Sequence, residues 1–312
     1  MDDCAIRELA FKHRPVVYLH PAEKYMPMEF NRYINEARLK HCSSGAIFKP
    51  EEAFDDITFG QWLFDYPQIN SQDYTLYLPD GMASPCIAQY NPAESATSDC
   101  KGDAKGDCKG DDNSKAPTPQ PSLDSVPIYV SYRMASNFDT GFHIYISYTF
   151  MYAYNGPEPV CCFQIGQHYA DSEHVTADVF VSRKGDVTLN QLYNSRHNGG
   201  VWVEGADMVW RGERPVVFSS LNGHASYNQP GHHSRYWGVA IDRCGYGDLW
   251  DTQNLTFLPK SWAESEPRLR WTLFSGNLGD GHVDGFGSKS YLTQTDQDGE
   301  YGASCCPCRW QA

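Results

Sequence analysis

The sequence predicts a mainly β protein, an antiparallel β-sandwich with a few peripheral helices in its N-terminal third. Three observations carry this. Beyond residue 127, short apolar runs alternate with turn signals such as "YNGP", "RKGD", "HNGG" and "CGYGD", with no repeating βαβ period. The 312 residues include 20 Tyr, 15 Phe, 8 Trp, 26 Gly and 19 Pro, a composition suited to pleated surfaces and tight turns. Helical periodicity is confined to the first third. A chain of this length supplies ample core, and residues 1–312 are read as one domain.

Taken in order, "DDCAIRELAFK" places Ile6, Leu9 and Ala10 at helical spacing behind acidic cap residues. "PVVYLHP" is a short strand stopped by Pro21, and "MEFNRYINEARLKH" sets Phe30, Tyr33, Ile34 and Ala37 on one helical face. Residues 51–81 hold a short helix and a short strand. From 127 the strands are "PIYVSYR", "FHIYISYTFMYAY", "EHVTADVFVSR", "DVTLNQLY", "GVWVE", "RPVVFSSL", "YWGVAID", "LTFL" and "RWTLF". Between the two regions, residues 92–126 contain almost no large apolar side chain and repeat Lys-Gly-Asp three times. Such a stretch cannot bury enough surface to offset chain entropy, so a disordered insertion is expected.

The formal charge of −14 argues against nucleic acid or an anionic membrane surface as the main partner. No stretch is long and apolar enough for a transmembrane segment, and "MDDCAIRELAFKHRPVVYL" has no secretory pattern, so a soluble cytoplasmic protein is expected. Eleven cysteines, an odd number, then read as reduced thiols. The Cys-rich tail at 303–312 ("SCCPC") lacks a second Cys/His pair at zinc spacing, and reads as an exposed tail.

Chemistry collects in the stretch "HYADSEHVTADVFV". With period 2, Glu173, Val175, Ala177, Val179 and Val181 share an apolar face, while His174, Thr176, Asp178 and Phe180 share the other. A carboxylate in an apolar row needs a partner, because burying it alone costs several kcal/mol. Other ionisable groups stand at strand ends or turns: His20 and Glu23, Asp171 and His174, His197, and His224. Each alone has a plain reading as a turn cap or a hydrogen-bonded surface group. If the strand ends converge, Asp171, Glu173, His197 and His224 supply two carboxylates and two imidazoles, with His20, Glu23 and His174 around them. That set suits a divalent metal ion as cofactor. It suits acid–base chemistry equally. No G-x-S-x-G elbow, phosphate-binding loop, H-E-x-x-H or dinucleotide fingerprint is present.

At these places the sequence resembles the vacuolar protein sorting-associated protein 62 family. "PVVYLHPAEKYMP", "HIYISYTFMYAYNGP", "GQHYADSEHVTADV", "NSRHNGGVW", "RPVVFSSLNGHASYNQPG" and "LWDTQNL" follow that family's motifs in order, from about Pro15 to Leu255. The family's Leu-His-Pro-x-Glu falls on Leu19, His20, Pro21 and Glu23. Its Gly-Asp-Trp-Glu-His falls on Ala170, Asp171, Ser172, Glu173 and His174, and its later histidines on His197 and His224. The chain departs from the family at Ser172, at Ala170 and in the Lys-Gly-Asp insertion. The resemblance implies a β-rich fold and, through the family's name, vacuolar protein sorting, which is a cellular phenotype and not a biochemical activity. Two functions are therefore carried forward. One is a binding module with an acidic/His ligand or metal site, taking a small molecule or a protein. The other is a metal-assisted or acid–base hydrolase or lyase acting on a small molecule.

Overall fold

The computed structural model describes residues 1–48, 55–78, 122–137, 140–160, 163–197, 199–235, 238, 240–261, 265–279 and 283–284. Helix Asp3–His13 opens the chain, with the Asp2 carboxylate accepting from Ala5 N–H at 2.9 Å. Helix Asp56–Asp65 is capped in the same way by Asp55, 2.7 Å from Thr58 N–H. Each such cap contributes about 1 kcal/mol. Between them helix Phe30–Glu36 buries Phe30, Tyr33 and Ile34, the face expected from the spacing, and Ala37 follows them into the core.

The body is mainly β. A six-stranded sheet runs in the order Gly199–Glu204, Val187–Arg196, His168–Ser182, Gly141–Asn155, Ile128–Asn137, Leu255–Phe257. A second sheet is built on Val16–Tyr18, flanked by Arg214–Ser219 and Leu249–Trp250. The two pack through one cluster that joins Val17, Val217 and Trp250 to Ile146, Tyr148, Val175, Ala177 and Val179. Pleat parity sends the intervening residues elsewhere: Tyr129, Met151, Ala153 and Ala170 meet a second cluster with Phe30, Trp62, Leu76 and Trp271. The central strand is thus buried on both faces, and His174, Thr176 and Asp178 are as enclosed as the valines opposite.

Several expectations need correction. The sheets are mixed, not purely antiparallel. Val16–Tyr18 runs parallel to Arg214–Ser219, Leu255–Phe257 to Ile128–Asn137, and Asn277–Leu278 to Tyr74–Tyr77. Each parallel pair joins strands far apart in sequence, and period-2 patterning is blind to that direction. "RWTLF" is not a strand. Residues Pro267–Leu273 form a 3-10 helix with proline in its first turn, and Trp271 lies against Phe30 and Tyr129. The "disordered" boundary at 126 is too late: Leu123–Ser125 form a 3-10 turn and Val126 enters the core. The rest of that insertion, 92–121, and the cysteine tail lie outside the described residues.

Candidate functional site

The strand His168–Ser182 carries Asp171 and Glu173 on one face, opposite Tyr152 and Phe150 of Gly141–Asn155. Both carboxylates are buried, at 6% and 4% exposure. Just before them Ala170 adopts φ 54°, a left-handed conformation that glycine takes more easily. His197, Asn222 and His224 share that conformation, so four of the five non-glycine positive-φ residues among the described ones gather here. Backbone strain of this kind, of order 1–3 kcal/mol per residue, concentrates at functional sites.

One half of the site is a closed chain of charges. His224 is fully buried and stacks on Tyr152, ring centroids 3.7 Å apart. Its Nδ1 lies 2.8 Å from Asp171 Oδ2 and its Nε2 3.7 Å from Glu23 Oε1. Burial alone would lower the imidazole pKa, but the Glu23 and Asp171 carboxylates raise it to about 10. Burial would raise both carboxyls; His224 instead holds Glu23 and Asp171 below their ordinary values. Glu23 also accepts from the backbone N–H groups of Lys24, Tyr25 and Asn222 at 2.9, 2.9 and 2.7 Å. With its pKa held that high by a hydrogen-bonded Asp171 and the longer-range Glu23, whose oxygen Nε2 does not hydrogen-bond, His224 is favoured as an imidazolium. In that form it offers no lone pair to a metal.

The other half handles a proton differently. Glu173 receives a short hydrogen bond from the Ser195 hydroxyl and a 3.3 Å bond from His197 N–H. No cation is paired with its carboxyl among the ion pairs of the described residues. Burial, and then the Asp171 charge, push its pKa up to about 7 against the pull of His197. His197 Nε2 stands 3.0 Å from Asp242 Oδ2, which also accepts from Tyr227 O–H at 2.6 Å. Burial would lower the His197 pKa; the bond to Asp242 and the nearby Glu173 raise it instead. Burial would raise Asp242, yet His197, Tyr227 and Arg235 bring it to about 2. Arg235 pairs with Asp242 Oδ1 at 3.0 Å and with Glu158. Glu158 stays above its ordinary value even so, because burial and Asp242 outweigh the guanidinium.

The structure brings Asp171, Glu173, His197 and His224 together through these bonds. His20 sits at the edge, its Nδ1 accepting from Ala22 N–H at 3.1 Å, and Glu23 is a direct partner of His224. His174 points to the other face, stacked with Tyr193 at 5.6 Å between centroids. Asp242, Glu158, Arg235, Tyr227 and Ser195 escape the sequence reading. Asp242 carried the same signal as Glu173, since in "AIDRC" it alternates onto the buried row with Ala240 and Cys244. The donor atoms of Glu158, His197 and Asp242 lie within 4.8 Å of one another, a spacing that one cation could span. Arg235 already pairs with both carboxylates there, so a cation would have to compete with it. On the strand Val187–Arg196, paired with Val175, Asn194 is fully buried with neither side-chain atom hydrogen-bonded, and Ser220 Oγ is in the same condition. Buried polar atoms of this kind are ordinarily satisfied by water or a bound polar molecule.

The sequence model of the vacuolar protein sorting-associated protein 62 family matches residues 107–239, and the chain resembles that family. The match is narrower than Pro15–Leu255 and leaves out His20, Glu23 and Asp242. No curated protein matches the chain. Among solved structures, "NLPPya in complex with mannosamine" is 14% identical, with 93% of this chain and 91% of that one covered and a TM-score of 0.36. "Toxin fold for microbial attack and plant defense" is 13% identical, with 93% and 92% covered and a TM-score of 0.37. "Crystal structure of non-toxic HaNLP3 protein" is 14% identical with a TM-score of 0.29; the match takes in 48% of this chain and 57% of that one. No helix among the described residues is long and apolar enough to cross a membrane.

Proposed function

We propose that this protein binds a small polar molecule at the Glu173–His197 end of the network and exchanges a proton with it, the chemistry of an acid–base hydrolase or lyase. The observation that carries the reading is the divergence of two neighbouring carboxyls. Asp171, tied to an imidazolium, is ionised, whereas Glu173, tied to a hydroxyl and an amide, keeps its proton up to about pH 7. Environments that push paired titratable groups apart mark an acid and a base. Glu173 is the acid. His197, oriented by Asp242 and with a side chain 20% exposed, is the group that takes or returns a proton at the surface. The scaffold is read as a two-layer β-sandwich of a cytoplasmic protein, and a role in vacuolar sorting would rest on ligand binding at this site.

The test is a small-molecule screen in which binding heats are compared in buffers of different ionisation enthalpy. A ligand lost in Glu173→Gln, whose binding moves about one proton in the wild type, is the expected result; ligands that bind with no proton transfer refute the reading.

A second reading is a divalent cation held by Glu158, His197 and Asp242, favoured by the 4.8 Å convergence of their donor atoms. Zinc or manganese titration decides it. Affinity should vanish in Asp242→Asn and rise in Arg235→Gln, which removes the competing guanidinium. Equal affinity in wild type and Asp242→Asn ends this reading.

A further inference from the structure

The hairpin of Gly231–Arg235 and Ala240–Cys244 has two faces with different duties. Its register sets His233 opposite Asp242 and His232 opposite Arg243. Asp242 turns inward to His197 and Tyr227, and Arg235 follows it to Glu158. Strand alternation puts Ile241 and Arg243 on the other face, next to His232. There they line a cleft of about 260 Å³ together with Glu158, Pro159, Leu221 and Asn222.

The walls of this cleft are unevenly equipped. Pro159, Leu221 and Ile241 are apolar, and Ile241 is 48% exposed on a hairpin of otherwise mainly polar residues. The Arg243 guanidinium, only partly exposed, makes no ion pair or hydrogen bond among the described residues. The one carboxylate lining the cleft, Glu158, is already held by Arg235. His20 lies against the chain turn after Arg243, its Cδ2 3.6 Å from the position a Gly245 Cβ would take. Burial is the main cause that lowers the His20 pKa; Glu23 opposes it, and Arg243 and then His232 add smaller pushes downward, which places both near the His20 ring. Arg243 and His232 therefore line one opening, with His20 close behind them and no uncommitted anion among the lining residues, in a chain whose formal charge is −14.

We propose that this cleft binds a small carboxylic acid with an apolar body, its carboxylate on Arg243 and His232 and its body against Pro159, Leu221 and Ile241. Arg presents a planar fork of donors that matches a carboxylate in two parallel hydrogen bonds. Small-molecule sites combine mostly apolar walls with a few placed polar groups, as here. Glu158 joins the cleft to the proton-exchange network, since its Oε1 and His197 Cε1 stand 3.2 and 3.1 Å from the position a Gly223 Cβ would take. The inference thus names a substrate class for the proton-exchange site and rests on that reading only for what happens after binding. A phosphate group would satisfy Arg243 but has no use for the apolar walls.

The test uses the full chain with benzoate and hexanoate as probes, and benzamide and inorganic phosphate as controls, followed by calorimetry. At least one acid should bind, with affinity falling tenfold or more in Arg243→Gln and only a few-fold in Arg243→Lys. Benzamide and phosphate should fail at matched concentration. Because Arg243 has no partner to lose, the melting midpoint of Arg243→Gln should equal that of wild type. Ile241→Asp, at an exposed position, should keep the midpoint too and abolish binding by setting a second anion in the cleft. The proposal is overturned if neither acid binds, if Arg243→Gln binds as wild type does, or if benzamide or phosphate binds as well as the acids. Acid binding that depends on Arg243 but moves no proton upholds the cleft and refutes the proton-exchange reading, which separates the two.

Discussion

Replacing Glu173 by glutamine should stabilise the protein above neutrality and leave it unchanged or slightly weakened at pH 5. The carboxyl is buried with Asp171 beside it, and its pKa is lifted from an ordinary 4.5 to about 7. A raised carboxyl means that the folded state holds a proton the unfolded state releases. Its contribution is therefore favourable below about pH 4.5 and is lost as pH rises through about 7. At about 1.4 kcal/mol per pH unit, the interval corresponds to a penalty of about 3 kcal/mol by pH 8. Glutamine copies the shape of the uncharged acid and carries no charge to desolvate, so it escapes that penalty. Against this stand roughly 1 kcal/mol of altered hydrogen bonding to Ser195 and the loss of the Glu173 charge that favours protonated His197. Urea unfolding at pH 5, 6, 7 and 8, with midpoints compared at constant slope, should show the variant crossing from equal or weaker to stronger, a swing of about 2–3 kcal/mol. A variant that instead loses several kcal/mol at pH 8 would make Glu173 an ionised ion-pair partner and refute the reasoning. A difference that does not change with pH would remove the raised carboxyl itself.

Other outcomes follow from the same geometry. His224→Gln leaves Asp171 and Glu23 buried without their shared cation and should cost about 3–5 kcal/mol at pH 7, measured by denaturant unfolding. In the wild type the stability due to His224 is complete below about 6.5 and erodes as pH rises through about 10, so wild type and variant should converge by pH 11 in thermal scans. Trp271→Ala, in the 3-10 helix that packs on Phe30 and Tyr129, should cost about 3–5 kcal/mol; a surface-like value below 1 kcal/mol would detach that helix from the core. Gly247→Ala places a Cβ 2.6 Å from Leu19 O and Pro21 N, against backbone that has little room to give. It should cost about 1–3 kcal/mol and displace the His20–Glu23 turn, visible as a shifted His20 imidazole resonance.

Side-chain periodicity, which is a local property, determined much on its own. The alternation Glu173, Val175, Ala177, Val179, Val181 is buried throughout, and the helical face Phe30, Tyr33, Ile34 is buried as spaced. Parity also told which side of the strand Asp171 and Glu173 occupy, and the turn positions of His197 and His224 marked them as neighbours of a site. What parity does not contain is the partner of each group. Strand direction was invisible because parallel and antiparallel neighbours demand the same alternation, so the pairing of Val16–Tyr18 with Arg214–Ser219 had to come from the fold. "RWTLF" has strand-like composition, yet it lies in a 3-10 helix opened by Pro267, with Trp271 packed on Phe30 and Tyr129. The protonation states lie furthest from the sequence. Asp171 and Glu173 are two residues apart on one face, yet one meets an imidazolium from residue 224 and the other a hydroxyl from residue 195. Coulomb interaction in a buried, low-dielectric setting depends on those few ångströms, and tertiary structure alone supplies them.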